Sequence, residues 1–229
     1  MLPQRKYINA LTLLRVFTVL CFLLAVVQNY LSNGTVKFFT FTFTQFYSHI
    51  ELRILPLVLV TFFLVPLVKR ILGLSGRYYR SELLIASLIA LDAYTHVNGF
   101  YGYSFSMPFY ERIWFDKVMH FLEGIILLLA FYPMFLDFAR QKMSVRSHSA
   151  WTYWIVTGFI SIFFISWEII ELMSDKVLHT GLITSKHDTN EDLAFAYLGF
   201  IVAVIILELE KIFSQHYTVV KRQIIAPRQ

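Results

Sequence analysis

Long apolar stretches follow one another along the chain, separated by short polar segments. A span needs about 20 mostly apolar residues to cross roughly 30 Å of hydrocarbon. Six stretches fit: residues 11–31, 55–72, 81–101, 113–135, 151–173 and 192–213. The first follows Arg5 and Lys6, as the apolar part of a signal peptide would. No small-x-small cleavage site comes after it, and Leu20 before Cys21 does not suit a lipoprotein site, so it reads as a retained helix. Pro66 predicts a kink in the second stretch. Tyr30, Tyr101, Trp114, Trp151, Tyr153 and Trp154 fall near predicted ends, where aromatic belts form. From Val36 to Thr44 the chain alternates Phe and Thr, a strand period of two. A lone strand cannot lie in lipid with its backbone unpaired, so an outer interfacial loop, hairpin or re-entrant piece is expected there. The expected fold is all-α: a polytopic transmembrane helix bundle of about six spanning helices. It forms one integral membrane domain over residues 1–229.

Composition narrows the class. Of 229 residues, 57% are hydrophobic, 17% aromatic and 15% charged. Soluble domains average about 25% charged, so disorder, a coiled coil and an ordinary cytosolic enzyme are excluded. A single Cys excludes a disulfide framework and any multi-cysteine zinc site. The net charge of +5 forms no basic stripe, which argues against nucleic acid as a partner and for basic loops beside a lipid bilayer. With the N-terminus inside, fourteen of the 20 Lys and Arg residues fall on the inner side. The positive-inside rule therefore places both termini in the cytoplasm. Four acids, Glu82, Asp137, Glu208 and Glu210, share that side, Glu208 and Glu210 as rim residues paired with Lys211. The other acids of the total of 15 lie at outer ends, a bias the positive-inside rule does not require.

The outer acids recur at helical spacing. Asp116, His120 and Glu123 are i, i+4, i+7 and share one face of the fourth span. Glu168 and Glu171 are i, i+3 neighbours on the fifth. Asp188, Thr189 and Asp192 open the sixth, where the macrodipole favours carboxylates. Asp92 and His96 are i, i+4 on the third, and Arg53 heads the second. A charge in the bilayer interior costs roughly 2.5–3.5 kcal/mol or more unless paired or wet, so these groups should meet and line an outward-facing polar cavity. Three readings stay open. One is a divalent metal held among His120, Glu123, Glu168, Glu171, Asp188 and Asp192, although the order His120-x-x-Glu123 reverses the di-iron Glu-x-x-His motif. Another is metal-free acid–base chemistry or head-group recognition. The last is a satisfied polar network that fixes helix register.

The set Asp116-Lys117-x-x-His120-Phe121-x-x-Gly124, Trp167-Glu168-x-x-Glu171 and Asp188-Thr189-x-x-Asp192 resembles the YjdF-like family of bacterial inner-membrane proteins. Glu82-Leu83-Leu84 matches a further family pattern before the third span. The set is similar, more weakly, to VanZ-like membrane proteins. The chain departs from the YjdF-like pattern at Asn190, where Gln is usual, and at Ala196 or Tyr197, where Asn is frequent. It departs from the VanZ-like pattern at Glu171, where Gln is usual. The resemblance implies a multi-pass protein of the bacterial cytoplasmic membrane and no settled activity.

The leading functional expectation is an enzyme acting on an envelope lipid or cell-wall precursor. His120, Glu168 and Glu171 would be its acid–base groups or ligands, and Asp188 and Asp192 would orient or ligate. Arg53, Asp92, His96, Asp116, Lys117, Glu123 and Thr189 complete the binding set. A small-solute or ion transporter and a non-catalytic assembly protein are the alternatives. The apolar runs Ile125–Phe131 and Ile155–Phe164 favour a one-sided pocket over a pathway.

Overall fold

The computed structural model describes residues 4–33, 50–97, 109–142, 149–178 and 188–225. Among them the chain forms six helices and no strand: α1 (Gln4–Asn33), α2 (Ile50–Ile71), α3 (Tyr79–Val97), α4 (Phe109–Lys142), α5 (Ser149–Leu178) and α6 (Asp188–Ile225). The Phe/Thr segment from Val36 to Thr44 lies outside the described residues. Helices run beyond the apolar windows that predict them. The 38 residues of α6 reach about 57 Å at 1.5 Å per residue, well past a hydrocarbon core.

Windows long and apolar enough to cross a membrane lie in four helices: Lys6–Leu24, Asp116–Lys142, Trp151–Ile169 and Thr189–Ser214. Arg80, Glu82 and Asp92 put three charges into the 19 residues of α3. In α2 side chains are described only from Val58 onward. The expectation of six spans is therefore met for α1, α4, α5 and α6. Their outward faces are apolar and open: Leu20, Ile162, Phe163, Ile201 and Ile205 are all exposed. Hydroxyls on these helices donate to the carbonyl one turn back, as Thr18 does to Leu14 at 3.0 Å and Ser161 to Thr157 at 2.7 Å. That leaves them satisfied without water. Trp151 and Trp154 are exposed at the start of α5, whereas Tyr153 turns inward.

The second helix runs through Pro66 and stops at Gly73, whose φ of 64° suits a residue without Cβ. The Gly73 amide donates to Arg70 at 3.1 Å and the Leu74 amide to Lys69 at 3.0 Å. This is a Schellman cap, with Lys69 and Arg70 complementing the helix dipole. Leu74 is buried just beyond it, so the cap turns the chain back into α3.

Helix α4 is the hub. It packs on α3 and α5 and most extensively on α6, while α1, α2 and α3 pack among themselves. The core joins Val65, Val68, Ile85, Leu128, Phe131, Met134, Val156, Ile160, Phe164, Phe200 and Ala203. Helices α4 and α6 run parallel and touch backbone to backbone. A Cβ on Gly124 would overlap the carbonyl oxygen of Ala196, and one on Gly199 would overlap that of Phe121. Small residues permit such a crossing, and it sets the site's register.

Candidate functional site

The offset of 75 residues that pairs Gly124 with Gly199 also pairs Lys117 with Asp192, two helical turns nearer the helix starts. Both side chains are 4% exposed and form a close ion pair. The ammonium also lies 3.4 Å from Asp116 Oδ2 and 3.8 Å from Glu191 Oε2. One cation therefore faces three carboxylates, two from its partner helix.

His120 stands one turn further in. Its Nδ1 is 3.2 Å from Glu123 Oε2. Its Nε2 points the other way, 3.7 Å from Asp116 Oδ1 and 3.6 Å from Asp192 Oδ1. One ligand atom from each of Asp116, His120 and Asp192 falls within 4.8 Å of the others. Helix α5 contributes Phe164, whose ring is 6.2 Å from the imidazole and 6.1 Å from Phe200. Glu168, one turn after Phe164 on the same face, is buried. Asp92 is buried near the end of α3, where the Thr95 hydroxyl donates to the Asp92 carbonyl at 2.8 Å.

Below the cluster the interior is dry. Gly124 and Gly199 close the α4–α6 crossing, and Leu128, Phe131, Met134, Phe200 and Ala203 fill the next turns. Between α5 and α6 the Tyr197 hydroxyl donates to Ser161 at 2.8 Å, and among the described residues of α4, α5 and α6 charged side chains reappear at the other end. There Tyr78 donates to Asp137 at 2.9 Å, Tyr153 donates to Glu208 at 2.8 Å, and Arg80 donates to Glu210 at 2.8 Å. Burial and the Asp137 carboxylate push the Tyr78 phenol up to about 12. Lys211 pairs with Glu208 at 3.2 Å, but Glu210 reaches Arg80 on α3 instead. Arg15 on α1 holds Glu82 at 3.1 Å and the Thr61 carbonyl at 3.2 Å.

The expected constellation is thus gathered for Asp116, Lys117, His120, Glu123 and Asp192, in direct mutual contact. Glu168 and Asp92 are buried, and Thr189 lies in the first turn of α6. The side chains of Arg53, His96, Glu171 and Asp188 lie outside the described residues. Two contributors went unselected in the sequence. Glu191, between Asp188 and Asp192, carries no spacing signal that singles it out in the sequence. The run Ala196-x-x-Gly199-x-x-x-Ala203 carried a readable signal, small residues on one face, that predicts the close crossing.

A cavity of about 290 Å³ lies elsewhere, between α1 and α2, lined by Thr12, Arg15, Val16, Val19, Leu20 and Phe62. Comparison with curated proteins and with solved structures gives no match. A family model described as predicted membrane protein DUF2238 matches residues 10–211, which takes in every residue of the cluster. That family is the YjdF-like one, so this multi-helix chain belongs to the DUF2238 family of predicted membrane proteins.

Proposed function

We propose that this protein is a six-span enzyme of the bacterial cytoplasmic membrane, with both termini in the cytoplasm. It acts on an envelope lipid or cell-wall precursor that reaches it from the outer side. His120 is its proton-transfer group. Asp116, Glu123 and Asp192 orient the imidazole, and Lys117 offers a cationic contact to an anionic head group. Glu168, Glu171, Asp188, Thr189, Asp92, His96 and Arg53 complete the outer polar zone.

One observation carries this reading. An imidazole with carboxylates at both ring nitrogens sits among buried charges at one end of a helix pair, and that pair is sealed by apolar contact below it. A pathway through the membrane needs polar groups in both halves, so the seal disfavours a transporter. The Lys117–Asp192 pair specifically favours the other reading, an assembly protein whose network only locks α4 to α6.

The two separate at His120. The protein is replaced in its host by His120→Gln, and envelope lipids and precursors are profiled by mass spectrometry beside the deletion strain. Under the enzyme reading the variant accumulates at the normal level, unfolds at the normal temperature, and shows the deletion's profile. A wild-type profile from that well-folded variant would sink the enzyme reading and leave the assembly one.

A further inference from the structure

We propose that Asp116, His120 and Asp192 form a binding site for one divalent transition ion of the zinc class, with Glu123 as the residue that orients the histidine. The proposal rests on the reading of this cluster as a working site and changes one role in it: with the ion bound, His120 is a ligand and no longer the proton-transfer group.

The spacing comes first. His120 Nε2 lies 3.7 Å from Asp116 Oδ1 and 3.6 Å from Asp192 Oδ1. Both separations are long for a hydrogen bond, as in a loose ion pair. They do match a shared ion. Zinc binds nitrogen and carboxylate oxygen at about 2.0–2.2 Å, and the edge of a tetrahedron of such bonds is about 3.4 Å. All three ligand atoms fall within 4.8 Å of one another, so one ion can reach all of them after side-chain shifts of a few tenths of an ångström.

The second observation concerns the other ring nitrogen. Nδ1 faces Glu123 at 3.2 Å. The contact lacks hydrogen-bond geometry as it stands, so Nδ1 is a buried ring nitrogen that a small turn of the Glu123 carboxylate would satisfy. A metal-bound histidine usually donates its far N–H to a carboxylate in this way. Glu123 therefore serves as the positioning residue and not as a ligand, which removes one member of the wider ligand set expected from sequence.

Charge balance points the same way. Among the described residues, four carboxylates, Asp116, Glu123, Glu191 and Asp192, lie around one ammonium and one imidazole. Lys117 offsets only part of that excess, and a divalent ion offsets more. Lys117 also touches Asp192, so the ion shares this carboxylate with the ammonium, which then orients Asp192 from outside the coordination sphere. Three protein ligands leave a fourth position for water or an anionic substrate oxygen, as in a catalytic rather than a structural site.

The test uses the full chain purified in detergent, stripped with chelator, desalted and titrated with zinc chloride, with manganese and calcium chlorides as comparisons. The expected result is one zinc per chain. Affinity falls about 10–100-fold in Glu123→Gln, the usual effect of losing such a carboxylate. It falls further in His120→Gln and Asp192→Asn, and is unchanged in the distant Thr12→Ala. X-ray absorption at the zinc edge of the wild-type protein shows imidazole scattering, which decides the question even where a variant misfolds. No stoichiometric binding of any of the three ions, or a zinc spectrum without imidazole, overturns the site. If zinc binds but the His120→Gln strain keeps a normal envelope profile, the enzyme reading falls and the site stands. If no metal binds but that strain shows the deletion's profile, the site falls and the metal-free enzyme remains.

Discussion

The two ends of the bundle, inner and outer in the proposed orientation, use the same residue types in opposite ways. At the inner end the pairs are open or half-open to solvent: Arg15 and Glu82 are 20% and 23% exposed, Arg80 and Glu210 55% and 49%. Arg140 with Asp137 and Lys211 with Glu208 are comparably open. At the outer end Lys117 and Asp192 are 4% exposed, and among the described residues three carboxylates lie around the one ammonium. Exposed pairs contribute about 0–1 kcal/mol each, because water already solvates their members. A buried pair is different: desolvation offsets much of its attraction, yet removing one member strands the other in low dielectric. The inner end therefore reads as rim contacts that hold register. The outer end holds charge where charge is costly, and the proposed function rests on that contrast.

Three measurements can break or sharpen that contrast. The largest effect is expected for Lys117→Met, which leaves Asp192 buried without its ammonium. Loss of a buried partner costs about 3–5 kcal/mol, so detergent unfolding should shift strongly. The double variant Lys117→Met/Asp192→Asn should recover part of the loss. If the single variant unfolds like wild type, the outer end is no more special than the inner one.

Next comes Gly199→Ala. The added methyl meets the Phe121 carbonyl and the Gly124 backbone, so α4 and α6 must separate. Overpacking of this kind costs about 1–3 kcal/mol. It should also loosen the Lys117–Asp192 register two turns away, which cysteine cross-linking between the two helices would detect. An unchanged cross-linking pattern would mean that the cluster holds its own register.

The smallest effect is expected for Arg80→Ala. Its exposed pair with Glu210 should contribute about 1 kcal/mol or less, and less still at high salt. A loss comparable to that of Lys117→Met would show that the inner contacts do more than hold the rim.

Much of the outer site was legible because neighbours along one helix are set by the 3.6-residue turn. Asp116, His120 and Glu123 could be placed on a common face from spacing alone, and the structure brings them within 3.2–3.7 Å. The start of α6 at Asp188 was legible for the same local reason, a run of acids ahead of an apolar stretch. Partners across helices were not. Glu210 has Lys211 beside it in sequence, yet its carboxylate reaches Arg80, which is 130 residues away. Arg15 gave no sign that it would hold Glu82. Nothing local in the sequence aims Glu191 at Lys117.

The sequence by itself determined the helices, their apolar faces and the sorting of charge between the two ends. Those properties follow from composition and helical periodicity, which act within one segment. Only the tertiary structure decided that Lys117 meets Asp192, that His120 turns Nε2 toward two aspartates and Nδ1 toward Glu123, and that the bundle is sealed beneath them. Those outcomes depend on which helix packs on which and in what register. Here that register is set where Gly124 and Gly199 lack the Cβ atoms that would hold α4 and α6 apart.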